Sequence, residues 1–268
     1  MIKLKLISLN LGYGRKQVVY DVNFEVKPGE IVGIVGPNGC GKSTIIKSLA
    51  RIIKPTSGTI FLNDEDISKI PRVKLSRLVG VVPQMPLLPS AFNVFEIVLM
   101  GRNPHLGLLQ YESKKDAAIA WKAMEDTSIQ HLANRRIGQL SGGEIQSIVI
   151  ARVLAQKTKV ILLDEPTANL DIGRQIEILD LIKGLCKKDN LTVAIAMHEL
   201  NLAAQYCNRL VLINNGRIQY QGKPKDVITE ENIIEVYGSG SYIDSHPLSG
   251  LPVVLPTAGS SKKHVNEL

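Results

Sequence analysis

Residues Ile2 to Leu9 and Val18 to Val26 alternate apolar and polar side chains, and the second run ends at Pro28-Gly29. A period of two places one face of each strand on a core and the other toward solvent, and Pro-Gly is a turn signal. The pattern predicts an antiparallel first lobe. It then changes: Ile31-Val-Gly-Ile-Val35, Val160-Ile-Leu-Leu163 and Thr192-Val-Ala-Ile-Ala-Met197 are apolar runs, each followed by a polar residue and a helix-like segment. Such runs are those of strands covered on both faces, the arrangement of a buried parallel sheet. After the second run, Ile178, Leu181, Ile182 and Leu185 fall at i, i+3, i+4 and i+7, which gives a helix one apolar face to lay on that sheet.

Between about Leu87 and Gln156 the strand signals fade. Asn93-Val-Phe-Glu96 has the form of a capped helix start, and a further helical stretch runs from Asp116 to Met124, so the interval reads as an inserted helical subdomain. Arg209-Leu-Val-Leu-Ile213, Asn214-Asn-Gly216 and Arg217-Ile-Gln-Tyr220 predict a hairpin, with Asn-Gly supplying the positive φ angles of its turn. Beyond Tyr237 the Gly, Ser and Pro content rises, and Gly259 to Leu268 has too few apolar residues to order itself. The expected organisation is one unit over residues 1–238 with the helical insertion at about 87–156, then an extension over 239–268; there is no internal repeat.

The length of 268 residues suits one α/β unit with lobes. Although 44% of the residues are hydrophobic, no uninterrupted apolar stretch approaches the roughly 18 residues that suggest a membrane span. Met1-Ile-Lys-Leu-Lys-Leu-Ile-Ser8 alternates like a strand and lacks the apolar centre and small-residue cleavage site of a secretory signal, so the expectation is a mature cytoplasmic chain. Cys40, Cys186 and Cys207 are odd in number and widely spaced, which suggests neither a disulfide framework nor a metal cluster. The formal charge of +7 discriminates little, because a nucleotide, an anionic membrane face and a nucleic acid would each suit it.

The strongest local signal is Gly36-Pro-Asn38-Gly39-Cys-Gly41-Lys42-Ser43-Thr44, between the apolar run Ile31 to Val35 and the helix-like Ile45 to Ala50. This is a phosphate-binding loop in the context it requires. Its glycines permit a tight loop whose N–H groups converge on phosphate oxygens, the helix that follows adds a favourable dipole, and Lys42 sits against the β- and γ-phosphates of a nucleotide. Ser43 is placed to hold Mg²⁺. A plain glycine turn would explain the glycines but not Lys42-Ser43 beside them.

Val160-Ile-Leu-Leu-Asp164-Glu165-Pro166 brings a carboxylate to the end of a buried strand, where Asp164 can reach Mg²⁺ directly or through water. Glu165, one residue on, can polarise the water that attacks the γ-phosphate. An acidic strand end capping the next helix is the competing reading, and the phosphate loop tips the balance to catalysis. His198 ends the third apolar run. In a parallel sheet the carboxyl ends of the strands share one edge where ligands bind, which places Gly36, Asp164 and His198 along one rim.

These features leave kinases, GTPases, helicases and motor ATPases open. Leu140-Ser141-Gly142-Gly143-Glu144, shortly before the acidic strand, decides among them. Physically it is a second glycine-rich loop at a helix N-terminus, suited to an anion or to an N-cap by Ser141. With the other motifs it resembles the signature of the ATP-binding cassette family, and the resemblance covers nearly the whole chain. Tyr13 is similar to that family's adenine-stacking aromatic residue, Gln84 in Val81-Val-Pro-Gln84 to its Q-loop glutamine, Asn169-Leu-Asp171 to its D-loop and His198 to its switch histidine. Two departures follow the signature: Ile145 replaces a polar or basic residue and Ser147 an arginine, which removes a supporting contact near the ATP site and predicts activity at an altered rate.

The resemblance implies a P-loop ATPase core with a mostly parallel sheet, an N-terminal antiparallel β lobe and an inserted helical subdomain. It implies catalytic roles for Glu165, His198 and Gln84, nucleotide contacts from Tyr13, Gly36, Asn38, Gly39, Gly41, Lys42, Ser43, Thr44, Ser141, Gly143 and Asp171, and Mg²⁺ contacts from Ser43, Gln84 and Asp164. It further implies a head-to-tail pair of copies, in which the phosphate loop of one and Ser141 and Gly143 of the other close on the same ATP. A polytopic permease on the cytoplasmic side of the cell membrane would receive the motion through the Gln84 loop and the helical subdomain, and an external substrate-binding protein would act through that permease. Val94-Phe-Glu-Ile-Val-Leu-Met-Gly-Arg-Asn-Pro-His105 and His246-Pro-Leu-Ser-Gly-Leu-Pro-Val-Val254 resemble the importer branch serving iron chelates, haem and cobalamin. The alternatives are a soluble ATPase of DNA repair or translation and a subunit of the same family for another substrate; the chain has no long coiled-coil heptads and only one cassette, and no nucleic-acid partner is expected.

Overall fold

The computed structural model describes residues 2–107, 109–168, 170–238 and 241–256. In chain order the first half holds β1 (Leu4–Tyr13), β2 (Lys16–Val26), β3 (Ile31–Val35), α1 (Lys42–Leu49), β4 (Ser57–Leu62), β5 (Glu65–Asp66), α2 (Arg72–Leu78) and β6 (Val79–Val82). The helices α3 (Val94–Leu99), α4 (Lys114–Asp126) and α5 (Gly142–Ala155) follow. Then come β7 (Val160–Asp164), α6 (Ile172–Asp189), β8 (Thr192–Ala196), α7 (Leu200–Tyr206), β9 (Arg209–Asn214), β10 (Arg217–Gly222), α8 (Pro224–Val227) and α9 (Glu230–Tyr237). The hairpin β11 (Ser241–Ser245) and β12 (Pro252–Pro256) closes the described chain.

The first lobe is the predicted antiparallel sheet, in the order β2-β1-β4-β5. Its alternation has one interruption. Leu4 and Leu6 are buried at even positions, Leu9 and Leu11 at odd ones, and the switch falls at Ser8, whose φ of 45° marks a bulge where the pairing with β2 shifts register. One extra residue flips every later side chain to the other face, so the bulge keeps leucines on the core along the whole strand. The short strands β4, β5 and β6 carry too few residues to declare a period.

The second sheet has the order β10-β9-β3-β8-β7-β6, parallel except for the antiparallel β10. Every residue of β3, β7 and β8 is buried, as their apolar runs predict. Alternate side chains serve two cores. Val32, Ile34, Leu162 and Ala194 join the β lobe and α1, while Ile31, Val35, Leu163 and Val193 join α6 and α9 on the opposite face. On α6, Ile178 and Ile182 are buried and Leu181 and Leu185 pack partly buried beside them. The β9–β10 turn has Asn215 at φ 48° and Gly216 at φ 74°, the two positive values that Asn-Gly supplies.

A third core belongs to the helices. Val94, Ile97 and Val98 of α3 pack with Ala120 and Met124 of α4 and with Ile148 and Ala151 of α5. Asn93 caps α3 in a reciprocal box with Glu96, and Ser113 caps α4 in a second box with Asp116, which starts that helix before the expected Asp116. A buried ion pair ties the group together: Arg102 Nε donates to Asp116 Oδ1 at 2.9 Å and Arg102 Nη1 to the Ala155 carbonyl at 2.8 Å.

The hairpin β11–β12 was not legible in the rising Gly, Ser and Pro content after Tyr237. Its turn is held by the His246 ring, whose Nδ1 faces the N–H groups of Leu248 and Ser249. Residues Gly259 to Leu268 lie outside the described residues. Among the described residues no helix is long and apolar enough to cross a membrane. All three thiols are free and buried, and burial pushes Cys186 to about 11 and Cys207 to about 12.

Candidate nucleotide site

The loop from Gly36 to Gly41 leaves the carboxyl end of β3 and enters α1. Gly36 has φ 147°, and a Cβ there would stand 2.0 Å from the Ile213 carbonyl of neighbouring β9. Gly41, at φ 111°, is the N-cap of α1, and a Cβ there would meet Val19 at 2.8 Å. Both positions therefore require glycine. Helix α1 has no side-chain cap and no acidic residue in its first turn, so its free N–H groups present positive charge to the loop. Lys42 is buried, and its ammonium donates to the carbonyls of Gly36 (2.8 Å) and Pro37 (3.1 Å). Among the described residues no carboxylate pairs with it, so the loop carries a net cationic charge with no internal anion. Asn38 and Gly39 are exposed at the loop's crest, and Thr44 is buried in α1.

Asp164 ends β7, two strands across from β3, and is reached by Ser43 Oγ, which donates to its Oδ1 at 2.7 Å. Burial pushes the Asp164 carboxyl up, against the opposing pull of the Ser43 hydrogen bond. Glu165 follows in the left-handed region at φ 47°, its N–H bonded to the Ala196 carbonyl of β8. A non-glycine residue holds that conformation only where its surroundings fix it. The turn aims the carboxylate at two other segments: Gln84 Nε2 donates to Glu165 Oε2 at 2.6 Å, and His198 Nδ1 lies 3.9 Å from the same oxygen. The far ring nitrogen, Nε2, is 3.5 Å from Glu199 Oε1. Gln84, Ser43, Asp164, Glu165 and His198 thus meet along the carboxyl edge of the sheet. Tyr13, at the end of β1, is half exposed with its hydroxyl 3.5 Å from Thr44 Oγ1.

Ser141, Gly143 and Asp171 stand elsewhere. Ser141 is the N-cap of α5, its hydroxyl facing the Glu144 N–H at 3.4 Å and donating to Glu144 Oε2 at 2.8 Å. The Ser141 backbone N–H also donates to that carboxylate, and this bond holds Glu144 below the usual carboxylate range. Asp171 caps α6 by accepting from the Arg174 N–H at 3.0 Å. Asn169 lies outside the described residues. Among the described residues no hydrogen bond or ion pair joins these three positions to the phosphate loop of the same chain.

At the departure after the signature, Ser147 Oγ donates back to the Gly143 carbonyl at 3.2 Å, and Gln146 Nε2 is buried without a partner. Sequence reasoning passed over Glu199 and Gln175. Gln175 Nε2 donates to Glu199 Oε1 at 3.1 Å and to the Thr167 carbonyl at 3.3 Å, linking α6 to the loop behind Glu165. An acidic residue directly after His198 was the available signal.

The family model for ABC transporters matches residues 19–168. The chain is 38% identical over 264 residues to the ferric enterobactin transport ATP-binding protein FepC of Escherichia coli strain K12, covering 98% of this chain and 97% of that protein. It is 39% identical over 253 residues to the petrobactin import ATP-binding protein FpuD of Bacillus anthracis, covering 94% and 93%. Its fold matches the dimeric, post-hydrolysis structure of the ATP-binding cassette MJ0796 bound to ADP and Pi with a TM-score of 0.73 at 27% identity, over 82% of this chain and 98% of that one. A family match across more than half of the residues, with relatives aligned almost end to end, places this chain in the ABC transporter family as an ATP-binding subunit.

Proposed function

We propose that this chain is the ATP-hydrolysing subunit of an importer for iron chelates of the siderophore class, with haem and cobalamin as the neighbouring cargo chemistries. The observation that carries the reading is the nearly end-to-end similarity to subunits named for ferric enterobactin transport and petrobactin import. The unit is residues 1–238, with residues 87–156 as its helical subdomain and 239–268 as an extension. It works on the cytoplasmic side of the membrane, bound to a polytopic permease that an external substrate-binding protein loads.

ATP is the substrate, and the loop fits it: a buried ammonium without a carboxylate partner, a helix start without an acid and glycines that hold the backbone turned inward. Lys42 neutralises the β- and γ-phosphate charge, and Tyr13 offers its exposed ring to the base. Ser43 Oγ and Asp164 Oδ1, 2.7 Å apart, are the hard oxygen donors that suit Mg²⁺, and Gln84, bonded to neighbouring Glu165, is the third residue proposed for the ion. When bound, that ion would neutralise charge developing on the phosphate oxygens. Glu165 polarises the attacking water, Gln84 holds its Oε2, and His198 Nδ1 stands 3.9 Å from the same oxygen.

The separation of Ser141, Gly143 and Asp171 from the loop of their own chain supports a head-to-tail pair, in which a second copy supplies them. A cavity of about 770 Å³ between α2 and the helical subdomain, lined by Arg51, Arg72, Leu75, Met100, Asn103 and Arg152, supports a permease contact there. The Arg152 guanidinium has no hydrogen bond or ion pair among the described residues. Burial lowers its pKa, the cost of taking a charge out of water, and an acidic side chain from the permease would offset that cost. Reconstitution with the permease and a binding protein tests the reading. ATP hydrolysis is expected to rise when the binding protein carries a ferric chelate; a response to sugars or amino acids and to none of the metal chelates, haem or cobalamin would contradict it.

A further inference from the structure

We propose that the C-terminal hairpin positions His198 through Asn201, so that the extension after α9 is part of the hydrolytic machinery. The inference rests on the reading of His198 as a catalytic-site residue. His198 is followed by Glu199, the N-cap of α7, and Asn201 lies in the first turn of that helix.

Helix α7 has only seven residues and is weakly defined by its own sequence. Glu199 makes no side-chain cap bond, whereas α3, α4 and α5 each begin with a reciprocal capping box. Its two ends are held by other elements instead. The C-terminal end is tied to α6, where Lys183 Nζ donates to the Gln205 carbonyl at 3.1 Å and the Tyr206 hydroxyl to Asp180 at 3.0 Å. The N-terminal end, next to His198, is tied to β12. Asn201 Nδ2 donates to the Val254 carbonyl at 3.2 Å, and the Val254 N–H donates to Asn201 Oδ1 at 2.8 Å. The side-chain amide thus pairs with a strand backbone as another strand would. A third bond, from Ser249 Oγ to Gln205 Oε1 at 2.8 Å, fixes the hairpin's turn along the same helix.

The hairpin is itself anchored, since Ile243 and Val254 pack against the core shared by α6 and α9. It therefore acts as a fixed edge against which the first turn of α7 is set. Among the described residues the same end is also tied by Gln175 Nε2, which donates to Glu199 Oε1 at 3.1 Å. His198 already lies at the limit of contact with both carboxylates, 3.9 Å from Glu165 and 3.5 Å from Glu199. A shift of α7 by a fraction of an ångström would decide whether its ring reaches the Glu165 site, and positioning errors of that size weigh on rate more than on binding.

The test is single-turnover and steady-state hydrolysis by the full-length chain carrying Asn201→Ala or Ser249→Ala, each alone and combined with His198→Ala. Asn201→Ala is expected to lower kcat at least fivefold with KM for ATP changed less than twofold, Ser249→Ala to lower kcat by a smaller factor, and neither to slow the His198→Ala protein further. The His198 imidazole resonances, followed by NMR, should move in Ser249→Ala, although that residue is remote in sequence. If His198→Ala slows hydrolysis while Asn201→Ala leaves kcat unchanged, or slows the His198→Ala protein by the same factor, the hairpin has no such role. Wild-type turnover in His198→Ala would instead overturn the catalytic reading of the histidine, and this inference with it.

Discussion

Lys42 shows how a single residue can be legible before any coordinates exist. Its neighbours in sequence are its neighbours in the site, so the contiguous run Gly36 to Thr44 carried both the loop and its charge. Removing the ammonium leaves phosphate charge uncompensated in a buried loop. Lys42→Ala is accordingly expected to abolish phosphate release by the purified chain, and wild-type turnover in that variant would contradict the site. Gln84 and Glu165 are the opposite case. They lie 81 positions apart and meet only because β6 and β7 are adjacent, so their hydrogen bond could not be read from either loop. Asp116 is a structural residue with its own pH signature. The Ser113 hydroxyl first, and then Arg102, hold its carboxyl well below the usual carboxylate range. A depressed folded-state pKa contributes stability that is complete above the unfolded value of about 4 and is lost as pH falls through the folded value. Thermal unfolding should therefore show Asp116→Asn less stable than wild type at pH 7, with the gap narrowing steadily below about pH 4.

At the scale of elements, legibility followed the length of the pattern and the presence of local caps. Asn93 with Glu96 announced α3, and the apolar runs announced β3, β7 and β8, because each signal sits within a few residues of the element it specifies. The bulge at Ser8 and the hairpin β11–β12 were silent, since the first depends on pairing with β2 and the second on packing against α7. Ser141 belongs to this scale as well as to the site. Its hydroxyl caps α5 within the chain, the structural half of the sequence reading, and a cap there is compatible with the anion contact proposed for the same loop. Ser141→Ala should cost about 1 kcal/mol of stability, the usual loss of an N-cap, read as a lowered midpoint in urea unfolding with an unchanged slope. An unchanged midpoint would show that the hydroxyl has no capping role.

For the whole molecule, the α/β architecture with its antiparallel lobe and parallel sheet was readable, because several motifs in order on alternating strands and helices leave few topologies. The head-to-tail pairing of two molecules is what the family resemblance implies, and the geometry is consistent with it: one chain brings together a phosphate loop, the Glu165 carboxylate and a histidine, yet leaves Ser141, Gly143 and Asp171 apart from them. A second copy in head-to-tail orientation would supply those positions to the same nucleotide. Glu165→Gln removes the carboxylate proposed to polarise water and keeps Ser43 and Asp164 intact, so it should bind ATP and accumulate in the closed pair. Adding Ser141→Arg places a bulky cation where the second copy must close, without touching the phosphate loop. Light scattering with saturating Mg-ATP measures the outcome directly. The account predicts a doubled mass for Glu165→Gln and the mass of a single chain for the protein that also carries Ser141→Arg; dimerisation of both to the same extent would contradict it.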